Sequence, residues 1–157
     1  MSIFLKSAAT ASYLLMVSAA TTFSGATTAN AGFGTCVGNV CEAAVIEGVR
    51  CATPAVTNAA DTWTMSVSYD PKGSDPFFEG EGAGEDNSPV KWMNGAAVFK
   101  AKKDKIYISF TANGSPDLQV KAGGGAADGS VATILTGEDG ADNDFNDIIV
   151  SVVCTSP

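Results

Sequence analysis

Residues 137–153 read GEDGADNDFNDIIVSVV, an acid-rich loop that runs directly into a stretch of β-forming residues. Five carboxylates lie close together in this loop: Glu138, Asp139, Asp142, Asp144 and Asp147. Two carboxylates about 4 Å apart repel by roughly 4 kcal/mol at an effective dielectric constant near 20. A folded loop cannot spread its charges as an unfolded chain does, so the pattern predicts a cation among them. Closely spaced, negatively charged oxygen ligands are what Ca²⁺ prefers.

The hydrophobic pattern before this loop predicts an all-β fold. The runs WTMSVSY (63–69) and KIYISFTA (105–112) alternate apolar and polar residues, and shorter runs of the same kind follow. Such patterning, with Gly, Pro, Asn and Asp between the runs, is typical of a β-sandwich or barrel. We therefore expect an antiparallel, Greek-key-like β-sandwich of about seven to nine strands, with little helix.

Two segments are poor in strand-forming residues and are interpreted as loops. Residues 70–89 read DPKGSDPFFEGEGAGEDNSP and are acidic, and residues 121–130 read KAGGGAADGS and are rich in glycine. A loop as long as the first is often functional or disordered. The aromatic pair Phe77-Phe78 within it has no role in the predicted site.

The N-terminus has the features of a secretory signal peptide. Lys6 is followed by an apolar stretch at residues 8–20 and by small residues that end in Ala29-Asn30-Ala31. This order is typical of a signal peptide, and the apolar run is shorter than the roughly 20 residues that span a membrane. We expect cleavage after Ala31, a single domain at residues 32–157, secretion to an extracellular or periplasmic location, and no membrane insertion.

The composition excludes several classes of function. The chain has a net charge of −8 and no histidine. An acidic chain does not bind nucleic acid through bulk electrostatics, and the lack of histidine removes the commonest general base. Without a Ser–His or Cys–His pair, and with its acids on one loop rather than across a cleft, the chain is not expected to be an enzyme.

The cysteines predict two disulfides. There are four of them, an even number in a chain expected to be secreted. In CVGNVC (36–41), a two-residue turn at Gly38-Asn39 would place Cys36 opposite Cys41. The remaining pair is then Cys51–Cys154. A zinc site is the alternative, although the spacing lacks a C-x-x-C pair.

The acid-rich loop is not an EF-hand. Counted from Asp142, the sixth position is Asp147 where an EF-hand has glycine, and the twelfth is Val153 where it has glutamate. The flanking segments are also predicted strands rather than helices. Mg²⁺ would use fewer carboxylates than the loop offers, and a solvated acidic turn is the remaining alternative.

The segment EDGADNDFND (138–147) resembles the hallmark loop of the calcium-mediated, fucose-binding bacterial lectins of the lectin II type. That hallmark is E-D-G-x-D-N-D-[YF]-N-D, followed by the final strand. The resemblance implies a β-sandwich that holds two adjacent Ca²⁺ ions, with the hydroxyls of fucose or mannose bound directly on both. Outside the loop and the last strand, the chain matches this family only in size and β-pattern.

The resemblance also implies a role for each polar residue of the loop. One ion would lie among Glu138, Asp142, Asp144 and Asp147. The second would contact Asn146 as well as Asp144 and Asp147, which would bridge the two. The residues implied to bind the sugar, directly or through the ions, are Glu138, Asp139, Asp142, Asp144, Asn146 and Asp147.

Two further ligands are implied outside the loop. The C-terminal carboxylate of Pro157 would complete the calcium site of a second subunit, which implies a homodimer formed through the C-terminal strand. A residue at the end of an early strand would also bind calcium. Asp70, which follows WTMSVSY, is our preferred candidate, and Asn113 is the alternative.

The main alternative function is a secreted adhesion or matrix domain that binds Ca²⁺ only for rigidity. D-x-D-[YF]-N-D loops also occur in such domains, where the protein encloses the ions and no sugar touches them. An open coordination position shared by two ions would distinguish a lectin from this alternative.

Overall fold

The structure, a computed structural model, describes residues 34–92, 95, 97–113, 118–127, 130–140 and 144–155. The predicted signal peptide at residues 1–31 lies outside these ranges, so its cleavage stays a prediction. The described residues form eleven β-strands. The strands are β1 (Gly34–Val37), β2 (Val40–Ala44), β3 (Arg50–Ala52), β4 (Ala55–Ser68), β5 (Phe78–Pro89), β6 (Lys91–Trp92), β7 (Val98–Lys100), β8 (Lys105–Ala112), β9 (Gln119–Ala127), β10 (Ser130–Glu138) and β11 (Ile148–Thr155).

The strands form one antiparallel sheet that folds over on itself. Its main path runs β1-β2-β8-β4-β11-β10-β9, while β5 and β6 extend from β4, and β3 and β7 extend from β11. Several neighbours on this path are not consecutive in the chain, as is usual for Greek-key connections. The all-β antiparallel prediction is confirmed. The strand number exceeds the expected seven to nine because β3, β6 and β7 are too short to leave a periodic pattern.

The two ends of this path approach each other. A Cβ atom on Gly34 in β1 would lie 2.9 Å from the side chain of Thr133 in β10 and 3.0 Å from that of Ala122 in β9. Only a residue without a side chain permits this approach without a shift of its neighbours. The sandwich is therefore nearly closed, like a barrel.

The core consists of the apolar faces that the alternating runs predicted. Trp63, Met65 and Val67 of β4 are fully buried, as are Ile106 and Ile108 of β8. Ser66 and Ser109, on the opposite face of the paired strands, hydrogen-bond to each other at 2.7 Å. Because β4 pairs with β5, β8 and β11, its side chains join all parts of the core.

The predicted loop at residues 70–89 is wrong over its second half, which forms β5. Strand β5 pairs with β4 and then with β6. A Cβ atom on Gly80 would lie 2.5 Å from the ring of Trp92, and one on Gly82 would lie 2.8 Å from Val90. The glycines that weakened the local strand pattern are therefore the residues that allow neighbouring side chains to pack against this backbone.

The predicted flexible loop at residues 121–130 is also wrong, because residues 119–127 form β9. This strand pairs with β10 along its whole length, from Gln119 opposite Glu138 to Ala127 opposite Ser130. Pairing requires only backbone groups, so a long partner strand can order a segment of low strand propensity. No helix in the described ranges is long and apolar enough to cross a membrane.

The structure contains both of the disulfides that the cysteine spacing predicted. Cys36–Cys41 closes the β1–β2 hairpin, and Cys51–Cys154 joins β3 to β11. In both pairs the two residues lie directly opposite each other on neighbouring strands. The second bridge connects residues 103 positions apart, whereas the first spans only 5.

The two disulfides are expected to differ in their effect on stability. Replacing Cys51 and Cys154 by alanine should lower the free energy of unfolding by about 4–5 kcal/mol, because a long loop is released in the unfolded chain. Replacing Cys36 and Cys41 should cost only about 2 kcal/mol by the same relation. Urea denaturation of both double variants measures the difference, and an equal loss would contradict the entropic explanation.

Candidate functional site

The acid-rich loop connects β10 to β11 at one end of the sandwich, where these two paired strands meet. Gly137 lies opposite Ile148 at the base of this hairpin. Glu138 therefore ends the first strand, and Asp147 immediately precedes the second. The strand pairing fixes both ends of a loop that would otherwise have many conformations.

The base of the hairpin packs on the core residue Trp63. A Cβ atom on Gly137 would lie 2.8 Å from the Trp63 ring and 2.7 Å from the Ile148 side chain. Real Cβ atoms do not approach other atoms so closely, so the tight packing requires glycine here. The position of the loop is thus coupled directly to the largest buried side chain of the core.

Three carboxylates of the loop converge. Glu138, Asp144 and Asp147 each offer an oxygen atom, and these atoms lie within 4.8 Å of one another. Ca²⁺ binds oxygen at about 2.3–2.6 Å, so a single ion can contact oxygens separated by such distances. Glu138 is fully buried, Asp147 half-buried and Asp144 exposed, so the cluster extends from the interior to the surface.

Backbone amides of the loop hold these carboxylates in place. Glu138 accepts hydrogen bonds from the amides of Gly140 at 3.0 Å and Phe145 at 3.1 Å, one on each oxygen. Asp147 accepts a bond from the amide of Asp139 at 2.8 Å. Charge-assisted bonds of this kind offset part of the repulsion among the acids. They also wrap the loop backbone around the cluster.

Two asparagines lie beside the carboxylates. Asn146 donates from its backbone to Asp144 at 3.2 Å and also from its side-chain amide. Asn58, near the start of β4, donates from its side chain to the side-chain oxygen of Asn146 at 3.3 Å. The Asn58 backbone amide also donates to the carbonyl of Asp147 at 2.8 Å. An early strand is therefore attached to the C-terminal end of the loop.

Phe145 shapes the exposed side of the loop. It has a φ angle of 58°, in the left-handed region that a bulky side chain rarely adopts. The ammonium group of Lys121 in β9 lies 3.1 Å from the centroid of its ring. This cation–π contact stabilises the unusual conformation, in which the Phe145 amide faces Glu138.

The structure brings together most of the predicted loop residues that it describes. Glu138, Asp144 and Asp147 form the cluster, while Asp139 and Asn146 contact it through hydrogen bonds. The other two predicted ligands, Asp142 and Pro157, lie outside the described residues.

Neither candidate for the early-strand ligand hydrogen-bonds to the loop among the described residues. Asp70 lies beyond the far end of β4, twelve residues along the chain from Asn58. An extended strand rises about 3.3 Å per residue, so the two residues are separated by roughly 40 Å at most. Its carboxylate accepts hydrogen bonds from the hydroxyl of Ser74 and the backbone amide of Lys72. Asn113 follows β8 and donates its backbone amide to Thr62.

The early-strand residue that sequence reasoning missed is Asn58. The alternating pattern became clear only at Trp63, so the first part of β4 was not recognised as a strand. The available signal was an asparagine within AVTNAAD (55–61), a run rich in small residues. The sequence also does not reveal that this strand lies beside β11. In the folded sheet, Thr57, the neighbour of Asn58, pairs with Ile148, which directly follows the acid-rich loop.

A comparison with protein-family models places residues 44–156 within the family described as fucose-binding lectin II (PA-IIL). The match covers most of the chain and includes both Asn58 and the acid-rich loop. It confirms the resemblance that the loop alone indicated. In a separate comparison, no protein of curated function matches this chain.

Several solved structures share the fold. The lectin CV2L of Chromobacterium violaceum, in complex with α-methyl-fucoside, is 19% identical with a TM-score of 0.62, covering 78% of this chain and 100% of that one. The high-affinity mannose-binding lectin of Ralstonia solanacearum is 22% identical with a TM-score of 0.63 and the same coverage. The C-terminal domain of the Burkholderia cenocepacia lectin BC2L-C is 25% identical with a TM-score of 0.58, covering 74% of this chain and 96% of that domain.

Gly137→Ala is expected to lower the free energy of unfolding by about 1–3 kcal/mol, because the new Cβ atom would overlap the Trp63 ring. Gly123→Ala is the matched control, since a Cβ atom on this β9 glycine would have no neighbour within 4 Å. The control should be neutral or slightly stabilising. Thermal denaturation of both variants measures the effect, and equal melting temperatures would contradict the described packing.

Proposed function

Because the chain belongs to the fucose-binding lectin II (PA-IIL) family, we propose that it is a secreted lectin that binds fucose-like or mannose-like sugars through two calcium ions. The observation that carries this proposal is the convergence of Glu138, Asp144 and Asp147 within the family's hallmark loop. A lectin binds carbohydrate without transforming it. The family thus agrees with the prediction that the chain is not an enzyme.

The residues present fit calcium. They offer only oxygen atoms, several of them charged, which suits a hard divalent cation. The fully buried carboxylate of Glu138 supports the same assignment. Burying a carboxylate is costly unless opposite charge or hydrogen bonds compensate, and a bound cation would add to what its two backbone amides supply.

The proposed ligand set follows the loop. Glu138, Asp142, Asp144 and Asp147 hold one ion, and Asn146 joins the two bridging acids, Asp144 and Asp147, at the second. The ions supply positive charge that attracts sugar hydroxyls. Asp139 accepts hydrogen bonds from those hydroxyls.

In this proposal Asn58, and not Asp70, is the calcium ligand from an early strand. Its side chain already contacts Asn146, and its backbone is bonded to Asp147. An amide oxygen is a normal calcium ligand, and an amide that fixes Asn146 would also serve the site. Asp70 has no comparable contact with the loop among the described residues.

Secretion is supported by the disulfides. Cys36–Cys41 and Cys51–Cys154 require an oxidising compartment to persist. Together with the signal-like residues 1–31, they favour an extracellular or periplasmic location. The alternative of an adhesion domain with purely structural calcium is less favoured, because the matched family is one of lectins.

A homodimer through the C-terminal strand is part of the proposal. A row of small or apolar residues runs in register across five strands, on the outer face of β11 and its neighbours. The row consists of Gly125, Ala132, Val153, Ala52 and Val98. Ile134, beside this row, is 49% exposed. A continuous apolar face on an acidic protein is typical of an interface, and a second copy would cover it.

Calcium should stabilise the protein strongly. At a concentration about 100-fold above the dissociation constant, an ion that binds only the folded state adds about 2.7 kcal/mol, which raises the melting temperature by roughly 10 °C. Differential scanning calorimetry with Ca²⁺ and with chelator measures this shift. A melting temperature that does not depend on calcium would refute the metal site.

Asp144→Asn should abolish calcium-dependent binding of methyl fucoside or methyl mannoside, as measured by isothermal titration calorimetry. In chelator, the same variant should be at least as stable as the parent, because one repelling charge is removed. Asp104→Asn is the matched control, because this exposed acid precedes β8 near the far end of β4 from the loop, and the variant should bind sugar normally. Full sugar affinity in the Asp144 variant would overturn the proposed bridging role.

The proposed dimer predicts a specific effect of surface charge. Ile134→Lys should convert the protein to a monomer in sedimentation velocity, since it would place a charge on the apolar face. Val37→Lys is the control, because Val37 is 83% exposed at the β1–β2 turn, away from that face. A parent protein that sediments as a monomer at every concentration would rule out the dimer.

A further inference from the structure

A second cleft lies at the far end of β4 from the acid-rich loop. Its volume is about 660 Å³, within the range of small-molecule sites. Aromatic rings of Tyr69, Phe77 and Phe99 line it together with Lys100, Lys102 and Lys103. We name it the aromatic–lysine cleft. No residue of the proposed calcium site contributes to its lining.

The rings form a rigid apolar surface. Tyr69 and Phe77 stack with centroids 4.6 Å apart and planes 21° from parallel, and Phe99 packs edge-on against Phe77 at 5.1 Å. All three rings are only partly buried against the core, so part of each remains accessible. The Tyr69 hydroxyl accepts a hydrogen bond from the Lys102 amide at 2.9 Å. The lysine segment is thus held beside the rings.

The lining of the cleft is net positive, unlike the whole protein, because three lysines outnumber its two aspartates, Asp70 and Asp75. The chain has 9 basic residues against 17 acidic ones, yet three exposed lysines lie together here. The Lys103 ammonium lies 5.9 Å from the Tyr69 ring centroid. A cluster of cations beside a concave surface attracts an anionic ligand.

The cleft also contains hydrogen-bond acceptors. Asp70 lines it, and its carboxylate already accepts bonds from Ser74 and from the Lys72 backbone amide. These two bonds lower the pKa of Asp70, so the group is ionised at neutral pH. A carboxylate has room for further donors. A ligand that fits must therefore combine an anionic group, hydroxyl donors and an apolar face.

We propose that the aromatic–lysine cleft binds an acidic sugar, with the carboxylate of a hexuronate on the lysines and the C–H face of its ring on the apolar surface that Tyr69, Phe77 and Phe99 form. A neutral sugar lacks the anion, and a simple carboxylate lacks the hydroxyls and the ring face. The site goes beyond the proposed function because it requires no calcium. A chain with both sites would bind two chemically different sugars at opposite ends.

The experiment is a titration of the ¹⁵N-labelled full domain, followed by NMR, in excess chelator. Methyl β-glucuronide is the probe, and methyl β-glucoside and acetate are the comparison ligands. Only the glucuronide should shift the amides of residues 69–78 and 99–103. Equal shifts with acetate would indicate a general anion effect and overturn the proposal. Tighter binding of glucose 6-sulfate than of the glucuronide would overturn the assignment to a carboxylate.

Two matched double variants test the lysines. Lys102→Ala with Lys103→Ala should weaken glucuronide binding about tenfold or more, because two charge-assisted contacts are lost. Lys91→Ala with Lys105→Ala removes the same charge elsewhere and should leave the affinity unchanged. Lys105 is paired with Glu42 at 2.7 Å, away from the cleft. Equal weakening in both pairs would mean that only net charge matters, which would overturn the site.

A ring variant tests the apolar surface separately. Phe77→Leu keeps an apolar side chain in the core but removes the stacked ring, so it should weaken glucuronide binding with little change in melting temperature. Unchanged affinity would overturn the proposed ring contact. Calcium-dependent binding of methyl fucoside should persist in every cleft variant. If the parent protein itself did not bind methyl fucoside in calcium, the proposed lectin function would be refuted. Failure of the cleft proposal and failure of the lectin proposal are therefore distinguishable.

Discussion

Repulsion among the carboxylates at the tip of the β10–β11 hairpin is the constraint on which the functional architecture depends. Glu138, Asp144 and Asp147 place oxygen atoms within 4.8 Å of one another, and the first of these side chains is fully buried. Such a cluster is unstable on its own. The loop backbone directs amides at the acids, and the proposed calcium ions would offset their negative charge further.

This charged loop can be rigid because its base packs directly on the core. Trp63 lies beneath Gly137, and both approach so closely that no side chain fits between them. Trp63 also packs edge-on against Phe110 of β8 at 6.4 Å. Core packing therefore fixes the position of the hairpin base. The hydrogen bond from the Asn58 backbone amide in β4 to the Asp147 carbonyl fixes the C-terminal end of the loop. Affinity for a soluble ligand benefits from this preorganisation, since less ordering is needed on binding.

The sequence predicted the strands and the loop acids correctly where the pattern is local. It did not predict the strands whose structure depends on pairing with a neighbouring strand. The buried faces of β4 and β8 followed from alternation, and a dense motif indicated the acids that form the carboxylate cluster. By contrast, β5 and β9 contain glycines that lower local strand propensity, and only their pairing with β4 and β10 explains them. Asn58 was missed for the same reason. Its role depends on β4 lying beside β11, a contact between residues far apart in the chain.

Strand β4 also separates two surfaces of opposite character. Near its start lies the acid-rich loop, and beyond its end lie the aromatic rings and lysines of the second cleft. In a chain of net charge −8, three lysines against two aspartates make the lining of the second cleft locally positive. Charges separated by much more than about 8 Å are largely screened at physiological ionic strength. Each end therefore presents its own electrostatic field, and the two proposed sites are expected to bind their ligands independently.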